Sequence, residues 1–422
     1  MNASVDEAEE LRALAESILP ERPADPVDLD AIRIPHLTID VFRETEAFTD
    51  VWKQTTADRR MINATTNVYD GGFPGAVKHY STTNTPDLII IETDSDELVL
   101  EIEADLLAEV CDPKTRLIIV GHRNDINLYQ KLLSLGVSSY LLYPVTITSM
   151  IRAISEIYQE QGNEKIGKIT AVIGAKGGVG SSTVAQNLAV QISGQAPTDV
   201  LLVDFDLVFG TSAFNLDLEP NQGLRELIDQ GDGVDSAMLD RVLIKRGLNF
   251  NLLGCAPSLE SDRVLTEQSV AAILDVASTH IRHIVLDMPH NWSAATQHAL
   301  KMADRVLVVS TPELGCLRNA AAMFQQLRAM RPNDHLPQLV LNQVGLPRRQ
   351  EISPKEIESI LKITPATSIP YDAKTFGRAS ANGKLVCEMA SGKPASKAMA
   401  EVAQRICPRD RRRPLSRIKR AS

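Results

Sequence analysis

A chain of 422 residues with 44% hydrophobic and 23% charged side chains is long enough for two or three domains with full cores. Its formal charge of -10 argues against a protein that coats nucleic acid with its whole surface. The five cysteines lie far apart with no CxxC pair and suggest neither a zinc ribbon nor a disulfide framework, which fits a reducing cytoplasm. No apolar run approaches the length that spans a bilayer, so membrane contact is expected to be peripheral at most.

Residues 1–33 cluster Asp, Glu and Pro with little apolar pattern and read as a disordered acidic leader. From 34 to 158 short apolar runs alternate with helix-like stretches. Leu37 to Phe42, Leu88 to Ile91, Leu117 to Val120 and Tyr140 to Leu142 are the expected buried strands. Residues 159–168, QEQGNEKIGK, are polar and hold two glycines, the mark of a linker. From 169 to 407 the alternation resumes with β runs at ITAVIGA, VLLVDFD, HIVLDMP, RVLVVST and QLVLNQV, which predicts a second, larger and mostly parallel sheet. Residues 408–422 form a basic tail with few large apolar side chains, mainly Leu415 and Ile418, and offer no convincing membrane helix.

The run from Ala175 to Thr183, AKGGVGSST, stands between the apolar strand Ile169 to Ile173 and a helix whose buried face is marked by Val184, Leu188 and Ile192. Strand, glycine loop and helix let backbone N–H groups wrap a phosphate at a helix N-terminus. Gly177, Gly178 and Gly180 supply conformations closed to other residues. A glycine turn without a ligand is the competing reading. It loses ground because Asp204 and Asp206 end the strand Val200 to Val203, and Asp287 ends the strand His283 to Asp287. Any one of these aspartates alone would pass for a turn former or helix cap.

These residues together resemble the deviant Walker A motif, DxD element and Walker B strand of the ParA/MinD superfamily of P-loop NTPases, over roughly residues 168–406. The resemblance implies a site for ATP and Mg²⁺ built by Lys176, Gly177, Gly178, Val179, Gly180, Ser181, Ser182 and Thr183. In it Ser182, Asp204 and Asp287 hold the metal shell, and Asp206 orients the attacking water. Lys176 implies a homodimer, because the family's early lysine reaches the partner's phosphates. Asn342, at the end of a strand from Leu339, and the segment Ile369 to Asp372, with Pro370 and Asp372, match the family's adenine-flanking elements. The departure is Ser181, which stands where the family carries a second lysine on the β- and γ-phosphates. Loss of that cation points to weak binding, slow hydrolysis or both. Ser353 to Glu356, by contrast, is only a helix capping box.

The front region, with Pro86 to Glu92, Leu117 to Val120 and Tyr140 to Pro144, resembles a response-regulator receiver, a flavodoxin-like doubly wound fold. Glu92 stands at its phospho-accepting aspartate, Gly121 at its Ser or Thr, and Tyr143 at its lysine, so no phosphorelay kinase is expected to act on it. A pseudo-receiver joined to a ParA/MinD-like domain resembles the TadZ/CpaE family of Tad (Flp) type IV pilus assembly. That resemblance implies a cytoplasmic spatial regulator at a cell pole or the inner membrane. Its implied partners are a pilus secretion ATPase, inner-membrane assembly proteins or a polar hub protein. The alternative is a ParA-type partition ATPase acting on DNA or another polar cargo. The confinement of the obvious basic cluster to the tail argues against nucleic acid.

Overall fold

The computed structural model describes residues 32, 34–159, 167–195, 198–259 and 263–407. The leader, most of the linker and the basic tail expected from the sequence lie outside the described residues. The chain divides into two compact units, one within Pro26–Glu164 and the other within Lys165–Ser422. Among the described residues no helix is long and apolar enough to cross a membrane.

The first unit is a parallel sheet of β1 (Leu37–Arg43), β2 (Ala64–Asp70), β3 (Leu88–Thr93), β4 (Arg116–Gly121) and β5 (Ser139–Leu142), in the order β2-β1-β3-β4-β5. This is the doubly wound order of flavodoxin-like folds. Alternate side chains of one strand face opposite ways, so each strand feeds two cores. Leu88 and Ile90 pack with Phe48, Trp52, Ile151 and Ile154, from the helices Glu46–Ala57 and Ile147–Gln159. Ile89 and Ile91 pack with Phe73, Leu100, Leu107 and Leu132, from the helices Gly72–Tyr80, Glu97–Val110 and Ile126–Ser134. Central strands covered on both sides read as unbroken apolar runs, and every residue of β3 is buried. Edge strand β2, ATTNVYD, has no such run, and the sequence reading placed no strand there.

The second unit has β6 (Lys168–Gly174), β7 (Val200–Asp204), β8 (Ile244–Arg246), β9 (Phe250–Leu253), β10 (His283–Asp287), β11 (Arg305–Ser310), β12 (Gln338–Val344) and β13 (Thr367–Pro370). Their order is β13-β12-β11-β6-β10-β7-β9-β8, parallel except for the hairpin of β8 with β9. The chain leaves β6 on one side for β7 and fills the other side with β11 to β13. Ligands of open α/β sheets bind beyond the carboxyl ends of strands at such a reversal. The glycine loop, Asp287 and Asp204 follow three adjacent strands, β6, β10 and β7, at that edge.

Candidate functional site

The glycine loop leaves β6 and enters the helix Ser181–Gln195. Its carbonyls are tied outward by four side chains from three separate places. Asn319 Nδ2 donates to the Ala175 oxygen at 3.1 Å, Asn342 Nδ2 to Val179 at 2.7 Å and Gln343 Nε2 to Gly178 at 3.1 Å. His290 Nδ1 lies 3.1 Å from the Gly174 oxygen, which makes that nitrogen the protonated one, since a carbonyl only accepts. The backbone N–H groups from Lys176 to Thr183 donate to no protein acceptor among the described residues. A loop with fixed carbonyls and free N–H groups at a helix N-terminus is a receptor for an anion. Gly178 and Gly180 take φ of +80° and +85°, and a Cβ on Gly180 would stand 2.5 Å from Asn342 Nδ2.

Beneath the loop, Asp204 and Asp287 are paired across neighbouring strands in register, and they are 4% and 3% exposed. Asp204 is well supplied: Oδ1 accepts from Asp206 N at 3.1 Å and Oδ2 from Ser212 N at 3.1 Å. The nearby Ser182 hydroxyl favours the charged form of Asp287, whose Oδ1 is buried without a partner. Burial, and next the charge of Asp204, push the Asp287 carboxyl well above its ordinary range. Burial also raises Asp204, against the lowering effect of its bonds to Ser212. Asp206, half-buried, accepts from Phe209 N at 2.8 Å and Val208 N at 3.2 Å through Oδ1.

Two buried carboxylates and a hydroxyl, one oxygen lacking any donor, form a hard oxygen donor set suited to a divalent cation. Among the described residues no three His, Cys, Asp or Glu groups suffice to cage a metal by themselves. Mg²⁺ is commonly bound through one or two carboxylates together with phosphate and water. Lys176 is exposed, with no side-chain partner among the described residues, and Ser181 and Thr183 are half-buried at the start of the helix.

The adenine-flanking candidates are differently placed. Asn342 is buried and its amide braces the loop, while Oδ1 accepts from Gln343 N at 2.9 Å. Pro370 ends β13, and Asp372 caps the helix Ala373–Ala381 through Thr375 N at 3.0 Å and Thr375 Oγ1 at 2.6 Å. The bracing residues Asn319, His290 and Gln343 were not found from sequence, because each reaches the loop from more than 100 positions away and leaves no local pattern.

In the first unit, Glu92 ends in full burial at 0% exposure. It accepts from Glu44 N at 2.8 Å, Thr45 N at 2.7 Å and Thr45 Oγ1 at 2.5 Å, with His122 Nε2 at 3.8 Å. Tyr143 packs its ring against His122, with centroids 4.6 Å apart. The carboxylate at the acceptor position is thus consumed by the N-terminal turn of the helix Glu46–Ala57.

Residues 167–336 match the AAA domain family AAA_31. The septum site-determining protein MinD of Helicobacter pylori is 28% identical over 219 residues, covering 48% of this chain and 78% of that protein. A solved ParA family ATPase from Chlorobium tepidum superposes with a TM-score of 0.52 at 22% identity, over 56% of this chain and 98% of that one. A solved pilus assembly protein CpaE from Caulobacter crescentus is 40% identical over 30% of this chain and 96% of its own, with a TM-score of 0.29. The family match over residues 167–336, on a ParA/MinD-like parallel sheet with its glycine loop and paired aspartates, marks that stretch as an AAA_31 P-loop ATPase domain.

Proposed function

We propose that the chain binds Mg-ATP through its second unit and acts as a spatial organiser of a pilus assembly machine. The observation that carries the nucleotide reading is the orphaned Asp287 oxygen, buried under a loop whose N–H groups are free. Mg²⁺ supplies charge neutralisation for the phosphates. Ser182, Asp204 and Asp287 hold its shell, Gly177 to Thr183 wrap the phosphates, and Asp206 orients a water. Asn342, Pro370 and Asp372 border the base. Ser181 brings no charge to the phosphates, so turnover is slow and Lys176, exposed and unengaged, carries more of the compensation across a homodimer.

The pilus assignment rests on domain order and on the retired acceptor site: a receiver fold whose carboxylate is spent on its own backbone serves as a docking surface. In this reading the first unit holds pilus secretion or inner-membrane assembly proteins, or a polar hub protein, in the cytoplasm at a pole. Sedimentation of wild type and Lys176→Ala with and without Mg-ATP tests the scheme. A nucleotide-dependent dimer that Lys176→Ala weakens is expected, and a monomer under every condition defeats it.

A further inference from the structure

Arg225, on the helix Gly223–Gln230, is 2% exposed and forms no ion pair among the described residues. Its Nη1 donates to the Ala256 oxygen at 2.6 Å and to Gln222 Oε1 at 2.9 Å, and its Nη2 donates to the Leu207 oxygen at 2.7 Å. Its Nε is buried with no acceptor. A guanidinium taken out of water against neutral acceptors alone is costly, and a neutral amide would tie two loops together with less penalty. The thiol of Cys255, whose sulfur approaches the same Leu207 oxygen at 3.8 Å, is acted on by Arg225 with one sign and by Asp204 and Asp206 with the other.

Leu207 adjoins Asp206, so the clamp falls on the backbone beside the acid. The far end of the same loop is also pinned: Ser212 N donates to Asp204 Oδ2, and Gln186 Nε2 donates to the Ser212 hydroxyl at 3.1 Å. Between the pins Gly210 passes so close to Asp204 that a Cβ would stand 2.9 Å from Oδ2.

We propose that Arg225 is a positioning residue that holds the loop 205–211, and through it Asp204 and Asp206, in the arrangement that receives a magnesium-bound nucleotide. The inference rests on the nucleotide reading above and extends it to a residue outside the motifs. The test uses the full chain and ATPγS, comparing affinity in saturating Mg²⁺ with affinity in EDTA. Arg225→Gln is expected to lose about tenfold of the Mg²⁺-dependent gain, the scale of a lost outer-shell support, with EDTA affinity unchanged. Arg225→Lys should recover part of it, keeping charge without the fork. A general packing role would instead lower both affinities together. An unchanged ratio in folded Arg225→Gln overturns the proposal. Should that variant fail to fold, unchanged ratios in both Arg225→Lys and Gln222→Ala do the same. Wild type that binds no ATPγS overturns the nucleotide reading itself, a different result from wild type that binds with variants indistinguishable from it.

Discussion

Each unit carries a buried acid at the end of a central strand or one residue before it, and the two acids are treated in opposite ways. Glu92 has backbone and hydroxyl donors for its carboxylate, whereas Asp287 faces a like charge and keeps one oxygen without any donor. A satisfied buried carboxylate stabilises its fold and has no capacity left for a ligand. An unsatisfied one costs stability that only a bound cation returns. The same residue class at the same place in a parallel sheet therefore separates a structural site from a functional one by its unspent hydrogen bonds.

The largest effect expected from this contrast is on stability. Glu92→Ala strips the acceptor from three donors and should cost the first unit about 3–5 kcal/mol, read as an earlier transition of that unit in urea. A cost near zero would show that Glu92 is not the structural anchor its bonds describe. Asp287→Asn should act in the reverse sense on the nucleotide-free protein, raising stability by on the order of 1 kcal/mol at neutral pH. It should also weaken Mg-ATP binding about 10- to 100-fold, measured by calorimetry.

The pH dependence has a definite sign. Folded-state pKa values of Asp204 and Asp287 lie above those of the unfolded chain, so the stability linked to them is full below about pH 3.9. It is lost as pH rises through the folded values. Nucleotide-free wild type should thus lose melting temperature from pH 5 to pH 8 more steeply than Asp287→Asn; equal slopes would mean that Asp287 is not strained by its charge.

A smaller change is expected from Ser181→Lys, which returns a cation to the first residue of the phosphate-binding helix. Nucleotide affinity or turnover should rise by about tenfold, the worth of one charge-assisted bond. No change in either would remove Ser181 as the explanation of slow turnover. Smallest of all is the response of the first unit to a small phosphodonor: its mass should stay constant, since Glu92 is enclosed. An acyl phosphate on Asp94 or Asp96, which lie toward solvent just beyond β3, would reopen that site.

Much of this was legible in the sequence, and for identifiable reasons. A phosphate loop needs glycines between a strand and a helix, so its pattern is local, and Val184, Leu188 and Ile192 are buried as their spacing requires. The strand-end aspartates were visible because central parallel strands are unbroken apolar runs that end sharply. Strand β2 was missed because an edge strand half in water alternates polar residues, and β8 and β9 because they are too short to show a period. Arg225 and the loop braces were silent because a hydrogen bond across the fold fixes no neighbouring residue type. Glu92 was seen as a departure from the receiver pattern, but its contacts with Glu44 and Thr45 needed the fold to appear.

The pairing of Asp204 with Asp287 in the strand register turns the sheet into the gauge of the site. Their backbone separation is one inter-strand step, about 4.8 Å, set by hydrogen bonds that run the length of β7 and β10. Lengthening a surface loop leaves that interval untouched, while sliding either strand by one residue would turn its acid to the opposite face. Insertions in the connecting loops can therefore remodel what the protein recognises without recalibrating its metal position, which makes those loops the natural places for lineages to diverge.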